Sequence, residues 1–222
     1  MTDAHCHVTG GDPAVRELLI GRDFVGVHPW DCLGQSTAVE CNRLLSGLRA
    51  ALEADSGLGV GEIGLDRLKE REISPRMREM FEAQLKLALE FRRPVVLHGA
   101  KCWGQVVKAI KFHCPSPPFT STFLFHGFSR SDGLIPDIVA LGGYISVGPA
   151  VLNDHAVNYR ELVRKIPLDR LLVETDRTEA NAAECPSVRD VAAKVAELRG
   201  LAPEELEKIT DGNAAKFLGS CR

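Results

Sequence analysis

Short apolar runs and stretches of helical spacing alternate along this chain, and few architectures accept that order. Asp3-Ala4-His5-Cys6-His7, Phe24 to Val27, Leu58 to Ile63, Val95 to His98, Phe123 to His126, Tyr144 to Val147 and Leu171 to Asp176 read as strands. Between them, Val39, Leu44, Leu45, Leu48 and Leu52 recur at helical spacing within 36–54. Met77, Met80, Phe81, Leu85 and Leu89 do the same in a helix that starts at Ser74-Pro75 and must stop before Pro94. Further helices are predicted around Val106 to Ile110, over Ile135–Leu141 up to Gly142-Gly143, over Tyr159–Lys165, over Val188–Leu198 up to Gly200, and after Pro203. Asp12-Pro13 is the cap and first turn of a short helix through Leu19. Alternation in units this short implies parallel strands joined by crossover helices. The fold class is therefore α/β, a parallel (β/α) barrel of TIM type, with seven strands rather than eight and one domain over 1–222. An open doubly wound sheet is less favoured, because the Gly10-Gly11 loop lacks the GxGxxG spacing of a phosphate loop.

The polar residues of these strands carry the chemistry. His5 and His7 share one strand face, together with Asp3. For two histidines alone, an ordinary surface pair is the plainer reading. The recurrence of Glu62, His98, His126 and Asp176 on later apolar strands outweighs it, because a hydrolase with two metals needs about this inventory of imidazoles and carboxylates. A barrel collects such residues at the C-terminal ends of its strands. Cys6 alternates away from His5 and His7 and is expected against the barrel wall.

A net charge of −3 gives no bulk attraction for nucleic acid, so such binding would have to be local. Seven cysteines without CxxC pairing suit reduced thiols. No apolar run approaches the ~20 residues of a membrane span, and no leader pattern is present. The expectation is a soluble, cytoplasmic protein that does not engage membranes and is monomeric.

Asp-Ala-His-Cys-His, Gly-Val-His-Pro-Trp, Gly-Glu-Ile-Gly-Leu-Asp, Val-Leu-His, Phe-His-Gly-Phe-Ser, Glu-Thr-Asp and a closing Gly-Asn-Ala-Ala-Lys-Phe-Leu-Gly occur in this order. Together they resemble the TatD family of metal-dependent deoxyribonucleases, amidohydrolase-like barrels that cut phosphodiester bonds with two divalent metals. The resemblance implies that His5, His7 and Asp176 hold one metal and His98 and His126 the other, with Glu62 between them. The ions would be Mg, Mn or Zn, and Asp176 and Glu62 would be catalytic. It implies a TatD-like nuclease working from the 3′ end of single-stranded DNA. The alternative is an amidohydrolase-type enzyme acting on a lactone, an amide or a small phosphoester.

The chain departs from the family at several points. Between His7 and His28 only 20 residues intervene, where the family usually adds a full helix and strand. Ala100 and Lys101 replace an Arg and an acidic residue after His98. Arg177-Thr178-Glu179 replaces Ala-Pro-Tyr after Asp176, and Glu184-Cys185-Pro186 stands for Asn-x-Pro. His28, Lys101 and Arg177 are the candidate substrate contacts, the two cations as phosphate holders. Asp66 is expected to orient Arg67 or a neighbouring loop. Trp30 and Trp103 could stack on bases, although packing is the plainer role. His113 and His155 read as surface residues.

Overall fold

The computed structural model describes residues 1–33, 37–117 and 119–219. Ser36, the expected start of the first long helix, and Pro118 of the proline-rich loop lie outside them. The strands are β1 Thr2–Cys6, β2 Arg16–Leu19, β3 Phe24–Val25, β4 Gly59–Asp66, β5 Val95–Ala100, β6 Phe123–Phe125, β7 Tyr144–Val147 and β8 Leu171–Val173. All pairings are parallel: β1 with β2, and β3 to β8 in chain order. A bridge between Ile20 and Phe24 joins the two sheets on one side. On the other, the Asp176 N–H donates to the His5 carbonyl at 3.0 Å, so the strands close into a barrel.

The helices are α1 Ala38–Ala54, α2 Pro75–Glu90, α3 Trp103–His113, α4 Ile135–Ala140, α5 Val157–Lys165, α6 Val188–Arg199 and α7 Pro203–Gly219. Their ends follow the sequence signals. The Ser74 side chain accepts from the Met77 N–H ahead of Pro75, Ser187 and Asp190 form a capping box, and Gly200 takes the left-handed C-cap. No helix among the described residues is long and apolar enough to cross a membrane.

The barrel class is as expected, but the described residues form eight strands, not seven. The stretch through Leu19 is a strand rather than a helix. Asp12 accepts from the Ala14 N–H and makes only a turn. The chain then pairs with β1 through Thr2–Arg16, Asp3–Glu17 and Cys6–Leu19. Without β2, β1 would leave one side of its backbone unpaired inside the barrel wall. What this chain lacks is therefore helix: turns and loops alone link β1, β2 and β3, and the first α-helix follows β3.

Two apolar layers set where the polar groups go. The outer layer packs Ile63, Leu65, Leu97 and Phe125 against buried faces of the helices. The inner one gathers Ala4, Leu18, Phe24, Val96, Leu124, Tyr144 and Leu172, from seven of the eight strands, around Phe217 of α7. The Phe217 ring lies 5.9 Å from that of Phe24 and 6.0 Å from that of Tyr144, and so plugs the barrel floor. Strand side chains repeat every two residues. Above this floor, His98 thus follows Val96, His126 follows Leu124, and Glu174 follows Leu172.

Candidate metal centre

Glu62 does not stand at a strand end as expected; β4 runs on to Asp66, and β5 runs past His98 to Ala100. Between the pairs Val60–Val95 and Ile63–Leu97 the register shifts by one residue, a bulge. Val60, Ile63 and Leu65 belong to the outer layer, so the extra residue turns Glu62 inward. Further along, a Cβ on Gly64 would lie 1.9 Å from the His98 carbonyl oxygen. Only glycine permits this approach of β4 to β5, which sets Glu62 beside His98.

The other five expected ligands gather about this one carboxylate. Glu62 Oε2 lies 3.6 Å from His5 Nε2 and 3.4 Å from His7 Nε2. Asp176 Oδ1 is 3.4 and 3.7 Å from the same two nitrogens. Glu62 Oε1 faces the other set: His98 Nδ1 at 2.6 Å, His126 Nε2 at 2.5 Å and His28 Nε2 at 3.5 Å. Three overlapping groups offer metal-ligand atoms within 4.8 Å of one another: His5, His126 and Asp176; His5, His7 and Glu62; and His28, Glu62 and His98. Both ring nitrogens of His5 and Nδ1 of His126 are buried without a hydrogen-bond partner. Unpaired buried nitrogens are costly, and a divalent cation among these donors would satisfy them. The residues fit such a group.

Charge within the centre is strongly coupled. Burial alone would push the Glu62 carboxyl up, but the charge and hydrogen bonds of His126, with those of His28 and His7, hold it well below the carboxylate range. Burial disfavours the charged form of His126, yet Glu62 and Glu174 raise it well above the imidazole range. Asp176 also sits below its ordinary range, because the nearby imidazoles of His5 and His126 outweigh the effect of desolvation.

Three carboxylates that the sequence left out of the site support it. Asp66 does not serve Arg67, whose Nε donates to the Arg71 carbonyl. It does order the neighbouring loop, as the alternative expectation had it, with Oδ1 accepting from the Leu68 and Lys69 N–H groups at 2.6 and 3.2 Å. Asp66 Oδ2 pairs with His98 Nε2 at 2.8 Å and accepts from Trp30 Nε1 at 3.0 Å. Glu174 accepts from Ser146 Oγ at 2.5 Å and the Gly127 N–H at 2.7 Å, and lies 3.9 Å from His126 Nδ1. The period-2 step from Leu172 through Glu174 to Asp176 was the signal for it. Asp3 accepts from the Thr175 N–H and Oγ1 at 3.0 and 2.6 Å and does not join Glu62. The shift of register between Asp3 and Cys6 breaks the simple alternation from which a shared face was inferred.

The remaining candidates separate. Trp103 is buried against Phe125 and Phe128, whereas Trp30 is 42 % exposed, with Lys69 Nζ 3.6 Å from its ring centroid. Arg177 donates to the carbonyls of Ala182 and Cys185 at 2.7 and 3.1 Å, so its guanidinium is taken up by its own loop. Lys101 is exposed in the turn after β5. Cys6 is buried with its Sγ toward the Leu18 carbonyl, at the wall. His113 approaches Glu82 at 3.4 Å, and His155 lines an open cavity next to Asp176.

The family profile described as TatD related DNase matches residues 21–219. The chain is 29% identical over 214 residues to the uncharacterized metal-dependent hydrolase YcfH of Escherichia coli K12, across 91% of this chain and 77% of that one. It is 28% identical over 201 residues to the 3'-5' ssDNA/RNA exonuclease TatD of Pantoea vagans, covering 85% and 74%. Among solved structures, the TatD homolog YJJV of Escherichia coli K12 superposes with a TM-score of 0.72 at 26% identity, covering 94% of this chain and 78% of that one.

Proposed function

The chain belongs to the family of TatD related DNases, and on that premise we propose that it hydrolyses phosphodiester bonds at the 3′ end of single-stranded DNA with two divalent ions. His5, His7, Glu62 and Asp176 would hold one ion, and Glu62, His98 and His126 the other. The observation that carries this reading is the division of Glu62, whose two oxygens face two different imidazole sets. With four imidazoles among the donors, zinc fits better than the oxygen-preferring magnesium or manganese. Bound divalent ions supply Lewis-acid stabilisation of charge on phosphoryl oxygens and make water more acidic.

The chain's own groups supply the rest. Asp176 is half-exposed at the rim of the centre and ionised at neutral pH, which suits it to take the proton of the attacking water. His28 Nδ1 accepts from the Trp30 N–H at 3.1 Å, so a neutral ring carries its proton on Nε2, the nitrogen that faces the centre. That tautomer makes His28 a donor to a substrate oxygen rather than a metal ligand. Asp66 accepts from His98 Nε2–H and so fixes the same tautomer there, leaving the unprotonated Nδ1 toward Glu62.

The test measures metal content and turnover together. Metal-loaded protein is assayed side by side on 3′-labelled single-stranded DNA, a model bis-ester and a lactone panel, before and after exhaustive chelation. Loss of DNA cleavage on chelation, and reduced metal occupancy in Glu62→Ala, are expected. Turnover of lactones without DNA cleavage would transfer the assignment to a small-molecule hydrolase.

A further inference from the structure

We propose that the open cavity beside Asp176 is the subsite for the nucleotide flanking the scissile bond, and that Arg130 holds its phosphate. This rests on the phosphodiesterase reading above. The cavity has a volume of about 1050 Å³ and reaches from Glu174, Thr175 and Asp176 across the ends of β6 to β8 and along α5 to Lys165. Pockets for drug-sized ligands span roughly 300–1,000 Å³, so a lactone or a simple phosphoester would leave most of this space empty. Its wall includes Pro149 and Val157, and Val157 is 61 % exposed, an apolar surface of the kind a base or sugar covers.

Charge selects Arg130. Lys165 is committed to Asp132 at 2.5 Å, and Glu161 is neutralised by Arg164 at 2.6 Å. Glu174 is occupied by Ser146 and Gly127, and Asp176 by the histidines. Arg130, exposed on the same lining, has no ion pair or hydrogen bond among the described residues. It is the uncompensated cation of the cavity, and a guanidinium matches a phosphate in two-point geometry. The phosphate is thereby assigned to the β6–β8 side, away from Arg177.

The experiment compares wild type, Arg130→Glu and Arg130→Lys on three substrates: bis(p-nitrophenyl) phosphate, a 5′-phosphorylated dinucleotide and a single-stranded oligonucleotide. The charge reversal is expected to raise KM for the dinucleotide and the oligonucleotide by about 10- to 100-fold. The bis-ester, which has no second phosphate for Arg130 to hold, keeps its kcat and KM. Arg130→Lys recovers most of the loss, and the salt dependence of oligonucleotide binding falls by about one charge in Arg130→Glu. An unchanged KM for the oligonucleotide in Arg130→Glu overturns the subsite while the phosphodiesterase stands. Wild type that cleaves neither DNA nor the bis-ester overturns the phosphodiesterase and the subsite with it.

Discussion

Asp66 decides which nitrogen of His98 faces Glu62. With Oδ2 paired to Nε2 at 2.8 Å, His98 presents Nδ1 to Glu62 Oε1 at 2.6 Å. Burial would push the Asp66 carboxyl up, but hydrogen bonds from His98, the Leu68 N–H and Trp30 keep it well below its usual range, so it stays an acceptor. Asp66→Ala is expected to weaken metal binding roughly 10- to 100-fold by calorimetric titration, with the circular dichroism unchanged. Wild-type affinity in that variant would remove Asp66 from any orienting role.

Asp176 is the proposed base, and its substitution separates two roles. Asp176→Asn keeps the shape and removes the proton acceptor, so kcat is expected to fall by about 100- to 10,000-fold. Metal analysis of the same sample shows whether lost occupancy adds to the fall. A kcat within tenfold of wild type at full occupancy would assign the proton to another group.

His28 is expected to act without holding metal. Removing one donor to a charge-bearing oxygen costs roughly 100- to 1,000-fold in turnover. His28→Ala should show that loss with unchanged metal content. Metal leaving together with His28 would make it a ligand instead.

Arg177 ties down the loop behind Asp176 through Ala182 and Cys185. Hydrogen bonds from a charged group are worth about 1.5–3 kcal/mol, so Arg177→Ala should show first in urea denaturation and in faster proteolysis of 177–185. A raised KM with no change in stability would return Arg177 to the substrate.

Asp3 links folding to pH. Burial pushes its carboxyl from 3.8 up to about 7, against the lowering effect of the Thr175 bonds. Its contribution to stability is complete below pH 3.8 and is lost as the pH rises through about 7, since the folded state binds the extra proton over that window. At ~1.4 kcal/mol per pH unit the change is at most ~4 kcal/mol. Denaturation of metal-free Asp3→Asn across pH 4 to 8 should therefore give a flatter profile than wild type. Parallel profiles would show that Asp3 does not titrate in this window.

Much of this protein was legible from residue order alone. Parallel neighbours need crossovers, so alternating apolar runs and helical stretches imply a covered parallel barrel. The period of two likewise carries His98 and His126 to the inside above Val96 and Leu124. β2 was not legible, because a stretch after Asp12-Pro13 has equal local claim to a helical turn, and only the open side of β1 makes it a strand. The inward turn of Glu62 was hidden for a related reason: it follows from a bulge between Val60 and Ile63, and a bulge exists only relative to a partner strand. The tautomers of His28 and His98 are fixed by Trp30 and Asp66. Residue types thus determined which groups could reach the centre. Which atom of each group faces Glu62 was decided only by tertiary contact, because a hydrogen bond depends on angle and distance between groups that the chain order leaves unrelated.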